Sequence, residues 1–238
     1  MRQVPHYLLI GNGRVTHHFQ HYFSLLNLSF EIWHRQESFT QLNHCLNRAS
    51  HVLLLINDSA IDDFYIKHIH SKDKIYLHFS GSLVSRHVYG AHPLMTFSAK
   101  LYSLELYQSI PFIIDHDAPD FENLLPGLPN QHVRLATSLK AKYHALCVLS
   151  GNFSCMLWKR LFDGFVNEFN ISHSLAHPYL LQQMQNIMDD APSAMTGPLV
   201  RGDLQTIKTN LQALQADPFQ VVYQSFITCF HLLEEQSK

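Results

Sequence analysis

Residues 7–16 read Tyr7-Leu8-Leu9-Ile10-Gly11-Asn12-Gly13-Arg14-Val15-Thr16, and the fold turns on them. Four apolar residues without alternation spell a strand buried on both faces, ended by Gly11-Asn12-Gly13. Val15, Phe19, Tyr22, Phe23 and Leu26 then recur at helical spacing. A strand that breaks at two glycines and restarts as an amphipathic helix is the opening of a βαβ unit built for a dinucleotide. Gly11 permits the tight turn, and Gly13 lets backbone N–H groups approach a pyrophosphate at the helix N-terminus. Gly11, Asn12, Gly13, Arg14 and Val15 are therefore the first candidate cofactor contacts. Thr16 stands where the pattern has a third glycine, so helix and strand are expected to pack slightly further apart. The same letters also suit a βα turn that holds no ligand.

Outward from this turn the first half keeps alternating. Phe30 to Trp33 reads as a second strand, with Phe39, Leu42, Leu46 and Ala49 on one helix face after it. Val52 to Ile56 is a third strand, and Asp58 or Ser59 can cap a helix carrying Ile61, Phe64, Tyr65 and Ile69. Further strands are expected at Ile75–Leu77, at a short run ended by His92-Pro93, at Pro111–Ile114 and at Val133–Ala136. Such alternation implies parallel strands joined by right-handed crossovers. From Leu139 the period changes: positions 139, 143, 146, 149, 153, 157, 161 and 165 are large and apolar or aromatic, a helix of roughly thirty residues. Helices over Pro178–Met188, after Asp203 and after Pro218 follow, with a loop from Ala191 to Gly202. The expectation is an α/β fold, a doubly wound parallel sheet over residues 1–136, followed by an all-α domain over 137–238.

Composition narrows the function. Seventeen Lys and Arg against nineteen Asp and Glu give a formal charge of −2, which argues against a nucleic-acid binder. Hydrophobic residues at 46% are ordinary, but charged residues at 15% are few, so eighteen histidines supply much of the polarity. A histidine therefore counts only in a specific context. Cys45, Cys147, Cys155 and Cys229 make no paired pattern and fit a reduced cytosol. The apolar run before Gly11 is too short for a signal peptide, and no stretch reads as a membrane span. No ligand cluster for a metal stands out. A soluble cytoplasmic chain is expected.

The end of the second strand selects between nicotinamide dinucleotides. Trp33-His34-Arg35-Gln36 lacks a carboxylate to hold a ribose 2′-OH, and Arg35 beside His34 can pair with a 2′-phosphate, or lie solvated. This points to NADP(H). Several segments, in order, carry a more specific resemblance: GNGRV at 11–15, WHR at 33–35, LLLINDSAI at 53–61, LHFSGSL at 77–83, AHPLMTF at 91–97, KYHALCVLSGNF at 142–153 and MTGPLVRGD at 195–203. With these the chain resembles the Rossmann-like proteins with a DUF2520 C-terminal domain, grouped with candidate NADP-dependent oxidoreductases. Its architecture is also similar to pyrroline-5-carboxylate reductases, ketopantoate reductases and β-hydroxyacid dehydrogenases. The resemblance implies a Rossmann domain, a helical domain, and hydride transfer in the cleft between them.

Placed on that scheme, Asn57 and Asp58 end the third strand on the cofactor's ribose side, or cap a helix. His78, Ser80 and Gly81 end the fourth strand toward the nicotinamide, and His92 ends the next. Tyr143, His144 and Asn152 are the polar residues of the long helix; His144 and Asn152 lie roughly 80° apart around it. An imidazole suits proton transfer near neutral pH, or His144 is a hydrogen-bonded core residue. The related reductases place a catalytic Lys four residues before an Asn, where this chain has Val148, which puts the usual donor in question. Arg201 is a candidate for an anionic substrate, or a partner of Asp203. The expectation is an NADP-dependent oxidoreductase acting on a small carbonyl, imine or hydroxy acid and forming a homodimer through its helical domain. A non-catalytic NADP(H)-binding sensor or scaffold is the rival.

Overall fold

A computed structural model describes residues 5–69 and 71–236; residues 1–4, part of the run read for a leader, lie outside the described residues. Seven strands form one sheet in the order β2-β1-β3-β4-β5-β6-β7. They are β1 His6–Ile10, β2 Ser29–Trp33, β3 His51–Leu54, β4 Ile75–His78, β5 Tyr89–Pro93, β6 Phe112–Asp115 and β7 His132–Leu135. Strands β1 to β5 are mutually parallel. β6 pairs antiparallel with β5, and β7 runs with β6, where a parallel set was expected. The reason is the connection: residues 94–111 return to the neighbouring strand with only the short helix Leu104–Ser109, and an antiparallel neighbour needs no crossover.

The apolar run of β1 does what its composition demands. Tyr7, Leu8, Leu9 and Ile10 are completely buried, and they alternate between two cores. Tyr7, Leu9, Leu53 and Leu77 pack with Phe19 and Phe23 of α1 (Arg14–Leu25) on one face. Leu8, Ile10, Val52 and Leu54 pack with Leu42, Cys45 and Leu46 of α2 (Phe39–Arg48) and Ile61 of α3 (Ile61–His68) on the other. Helices on both faces make the sheet doubly wound. Each fully buried Leu or Phe contributes about 1.5–3 kcal/mol. The order β2-β1-β3 sends the connections after β1 and β3 in opposite directions across the sheet, the place where such sheets leave a ligand crevice.

From Thr137 every described element is helical. A continuous helix runs through α4 (Lys140–Cys147), a π-helical stretch Val148–Phe153 and α5 (Ser154–Asn167). The chain divides into compact units Met1–Met156 and Leu157–Lys238, so the division falls inside this helix. The later helices are α6 (His177–Asp190), α7 (Pro198–Arg201), α8 (Leu204–Ala213) and α9 (Phe219–Gln236). Asp203 caps α8 by accepting the Thr206 N–H at 3.0 Å. In the second unit Ala176, Ala194, Ile207 and Ile227 are the buried apolar side chains among the described residues. Leu181, Met188 and Val221, by contrast, are 70–71% exposed.

Candidate functional site

The glycine turn forms as the sequence predicts. Gly11 sits at φ +141°, a backbone conformation that side chains rarely tolerate, and a Cβ there would run into the Leu55 carbonyl. Gly13 is the N-cap of α1, has no side-chain cap and no acidic residue in the turn after it, and has nothing within 4 Å of where a Cβ would be. The first N–H groups of α1 therefore face open space, as an anion requires. Thr16 is fully buried with its hydroxyl unpaired, 3.0 Å from the Cβ position of Gly11.

A cleft of about 750 Å³ opens at this turn. Gly11, Asn12, Gly13, Arg14, Val15, His34, Arg35 and Asn57 all line it, eight of the candidate cofactor contacts in one hollow. Its far wall is aromatic: Phe39 stacks on His68 with centroids 4.6 Å apart, beside Trp33 and Phe64. The His34 Nδ1 is buried without a hydrogen-bond partner. The nearby Glu37 carboxylate is turned onto the His34 backbone N–H at 2.9 Å. Open N–H groups, an aromatic slot and a guanidinium fit the pyrophosphate, adenine and 2′-phosphate of an NADP.

A second cluster stands at the carboxyl ends of β4 and β5, within the same unit. His92 Nδ1 meets the Tyr143 hydroxyl at 2.8 Å, and the His92 and His144 rings meet edge-on at 5.9 Å. Both imidazoles come down on Gly81, whose Cβ position lies 2.5 Å from His144 Cδ2 and 3.2 Å from His92 Cδ2. Any side chain at 81 would push them off. Burial, then the neighbouring His144 and Lys140, push His92 down to about 4, against an opposing pull from Asp58. Burial raises Tyr143, and Cys147 adds to it. Near neutral pH His92 is thus uncharged, with its Nδ1 tied to the Tyr143 hydroxyl. Neither nitrogen of His144 has a hydrogen-bond partner among the described residues, unlike a satisfied core histidine.

His78 is fully buried; its Nδ1 accepts the Ser80 N–H at 3.3 Å, which leaves Nε2 protonated and unpartnered. Burial and Lys140 push it down to about 4, opposed by Asp115, Asp58 and Asp62. Ser80 donates to Asp58 Oδ2 while accepting the Leu83 N–H at 3.0 Å. Asp58 is therefore neither a helix cap nor among the residues that line the cleft at the glycine turn; its carboxylate holds the turn that presents Gly81. Two further expectations find no place in either cluster. Asn152 is exposed within the π-helical stretch, and Arg201 is exposed in the second unit, close enough to Asp203 to hold that carboxyl below its usual range behind the Thr206 hydrogen bonds.

Lys140, Asp115 and Gly90 are the residues that sequence reasoning missed. Lys140 Nζ donates to Asp115 Oδ1 at 2.6 Å, and Asp115 Oδ2 accepts the Gly90 N–H at 2.6 Å. One signal was available: a Lys exactly one helical turn before His144. Among the described residues no group of three His, Cys, Asp or Glu is placed to hold a metal. No helix there is long and apolar enough to cross a membrane.

The fold is a Rossmann-type α/β architecture with a helical C-terminal region. Residues 110–228, half of the chain, match the family described as a domain of unknown function, DUF2520, and the chain belongs to that family. The comparison with curated proteins finds no match. Among solved structures, the chain is similar to a candidate NADP oxidoreductase of Bacteroides fragilis at 19% identity and a TM-score of 0.76, covering 95% of this chain and 98% of that one. An imine reductase of Streptomyces aurantiacus aligns at 10% identity and 0.64, covering 95% and 93%. A reductive aminase of Aspergillus terreus, in complex with NADPH and ethyl levulinate, aligns at 14% and 0.60, covering 98% and 93%. Likeness at these identities speaks for the fold.

Proposed function

We propose that this protein is an NADP-dependent oxidoreductase that transfers a hydride between NADP(H) and a small carbonyl, imine or hydroxy acid. One observation carries the reading. A cleft shaped for a dinucleotide and a half-buried His92–Tyr143–His144 cluster both lie at the carboxyl ends of the strands of one compact unit. That is the side where doubly wound sheets bind ligands. The solved structures described as NADP oxidoreductases and imine reductases share the fold, which agrees with the proposal.

The N-terminus of α1 and Arg35 bind the phosphates, and the Phe39–His68 slot takes the adenine. When bound, the reduced nicotinamide supplies a hydride to the substrate carbon. The chain's own task is to neutralise the charge that then develops on oxygen or nitrogen. His144 supplies that proton, with unpartnered ring nitrogens beside Gly81. His92, tied at Nδ1 by Tyr143, keeps its Nε2 to orient the substrate. His78, Ser80 and Gly81 form the floor on the nicotinamide side. The helical region is the surface through which two copies associate in the cytoplasm.

The test is NADPH binding by calorimetry, followed by oxidation of bound NADPH against aldehydes, ketones, imines and keto acids. His144→Ala should lower kcat by roughly 10²–10⁴ while NADPH affinity holds. Tight NADPH binding with no turnover on any of these classes would favour the sensor or scaffold instead.

A further inference from the structure

The most deeply buried charges of the first unit have no role in the reading above. Lys140 and Asp115 pair at 2.6 Å with side chains 5% and 7% exposed. Burying two charges is unfavourable, and apolar side chains of similar volume would hold a helix to a sheet at least as well. The pair therefore calls for a reason other than stability.

Its position offers one. Across the sheet the register runs Leu54, His78, Gly90, with Asp115 next in line beyond Gly90. Gly90 has no side chain, and the ammonium and the carboxylate occupy the space a Cβ would take. Lys140 is the first residue of α4, so the pair fixes the turn from which Tyr143 and His144 project. Everything in the His92–Tyr143–His144 cluster hangs on that turn.

We propose that the Lys140–Asp115 pair is the positioning element of the site: it pins the first turn of α4 over Gly90 and sets a fixed positive charge against His78 and His92. The groups that face His92 are Tyr143, His144 and Lys140 from α4 and Asp58 from the turn after β3. Those that face His78 are Lys140, Asp115, Asp58 and Asp62. Among these, Lys140 is the permanent cation. It disfavours a second positive charge on either ring and so keeps a neutral N–H donor available. The relevance to catalysis rests on the oxidoreductase reading; the electrostatic role does not.

The test uses the full chain and follows the imidazole Cε1–H resonances of His92 and His78 against pH, assigned with His92→Gln and His78→Asn. Lys140→Met should raise the His92 midpoint by at least about half a pH unit. Lys140→Arg, which keeps the charge, should leave it low. If Lys140→Met does not fold, Lys140→Met/Asp115→Asn removes both charges together and should raise the same midpoint. NADPH affinity should stay within about twofold of the unmodified protein, because no residue of the pair lines the dinucleotide cleft. A midpoint that stays put in the folded Met variant, or that moves as far in the Arg variant, would overturn the proposal. Shifted midpoints in a protein that binds no NADPH would support the electrostatic role and remove the oxidoreductase reading alone.

Discussion

Gly90→Ala is the sharpest structural test of this site. A methyl group at 90 would lie 2.8 Å from both Asp115 oxygens and closer still to Lys140 Nζ. Ordinary contact needs about 3.5–4.0 Å, so the carboxylate must withdraw by roughly 0.7 Å or more. That movement stretches the 2.6 Å bond from the Gly90 N–H beyond useful length and strains the ion pair. Overpacking of this kind costs about 1–3 kcal/mol, and a weakened hydrogen bond to a buried charge about 1.5–3 more. A loss of roughly 3–5 kcal/mol lowers the melting temperature of a unit this size by roughly 6–20 °C. Thermal unfolding followed by circular dichroism measures it. The control is Gly13→Ala, where a Cβ meets nothing within 4 Å and φ is −91°. That variant should melt within about 2 °C of the unmodified protein, yet lose at least about tenfold in NADPH affinity, since the methyl stands where the pyrophosphate must approach. A Gly90→Ala protein that melts like the unmodified one would show that the pair does not depend on the missing side chain, and the account of Gly90 would fall.

Three further outcomes are expected. His78 and His92 are held near 4 in the folded state against an ordinary 6.5, so the unfolded chain binds more protons between those values; stability is full above about pH 6.5 and declines as pH falls toward 4. Melting temperatures at pH 7, 5.5 and 4 check this, and His78→Asn should flatten the decline. Arg35→Ala should erase most of any preference for NADPH over NADH, a factor of roughly ten to a hundred, while leaving NADH binding nearly unchanged; equal affinities in the unmodified protein would make Arg35 a surface residue. Light scattering should find a dimer, because the second unit buries few apolar side chains of its own; a 27.5 kDa species at high micromolar concentration would refute that.

That the glycine turn and the end of β2 share one cleft was legible in the sequence because those segments are local. Strand, glycine turn and helix follow one another without a gap, and Trp33 to Gln36 sit at the end of the adjoining strand. Short-range pattern suffices for such a site. The Lys140–Asp115–Gly90 constellation is the opposite case. Its members are 25 residues apart, and what joins them is the antiparallel pairing of β5 with β6, which the alternation of strands and helices did not suggest. Val148 drew attention to a Lys missing from one turn of the helix while another stood two turns earlier.

The long helix shows what periodicity can and cannot say. Its apolar stripe forms a helix over residues 140–167, as the spacing requires, with a π-helical stretch that i→i+4 spacing does not foresee. Yet Leu139, Leu146, Leu149 and Phe153 on that stripe are 48–55% exposed. Periodicity identifies a face that wants to leave water; it carries no information on what covers it. A single chain would expose an apolar band of this kind along with Leu181, Met188 and Val221, more than a soluble monomer ordinarily tolerates. Covering it with a second copy needs no unknown partner, and a two-fold axis would bring each stripe against its own equivalent. On that argument the stripe is where the expected dimer should form. Substituting Leu149 and Phe153 with Ser should then weaken association far more than it disturbs the sheet.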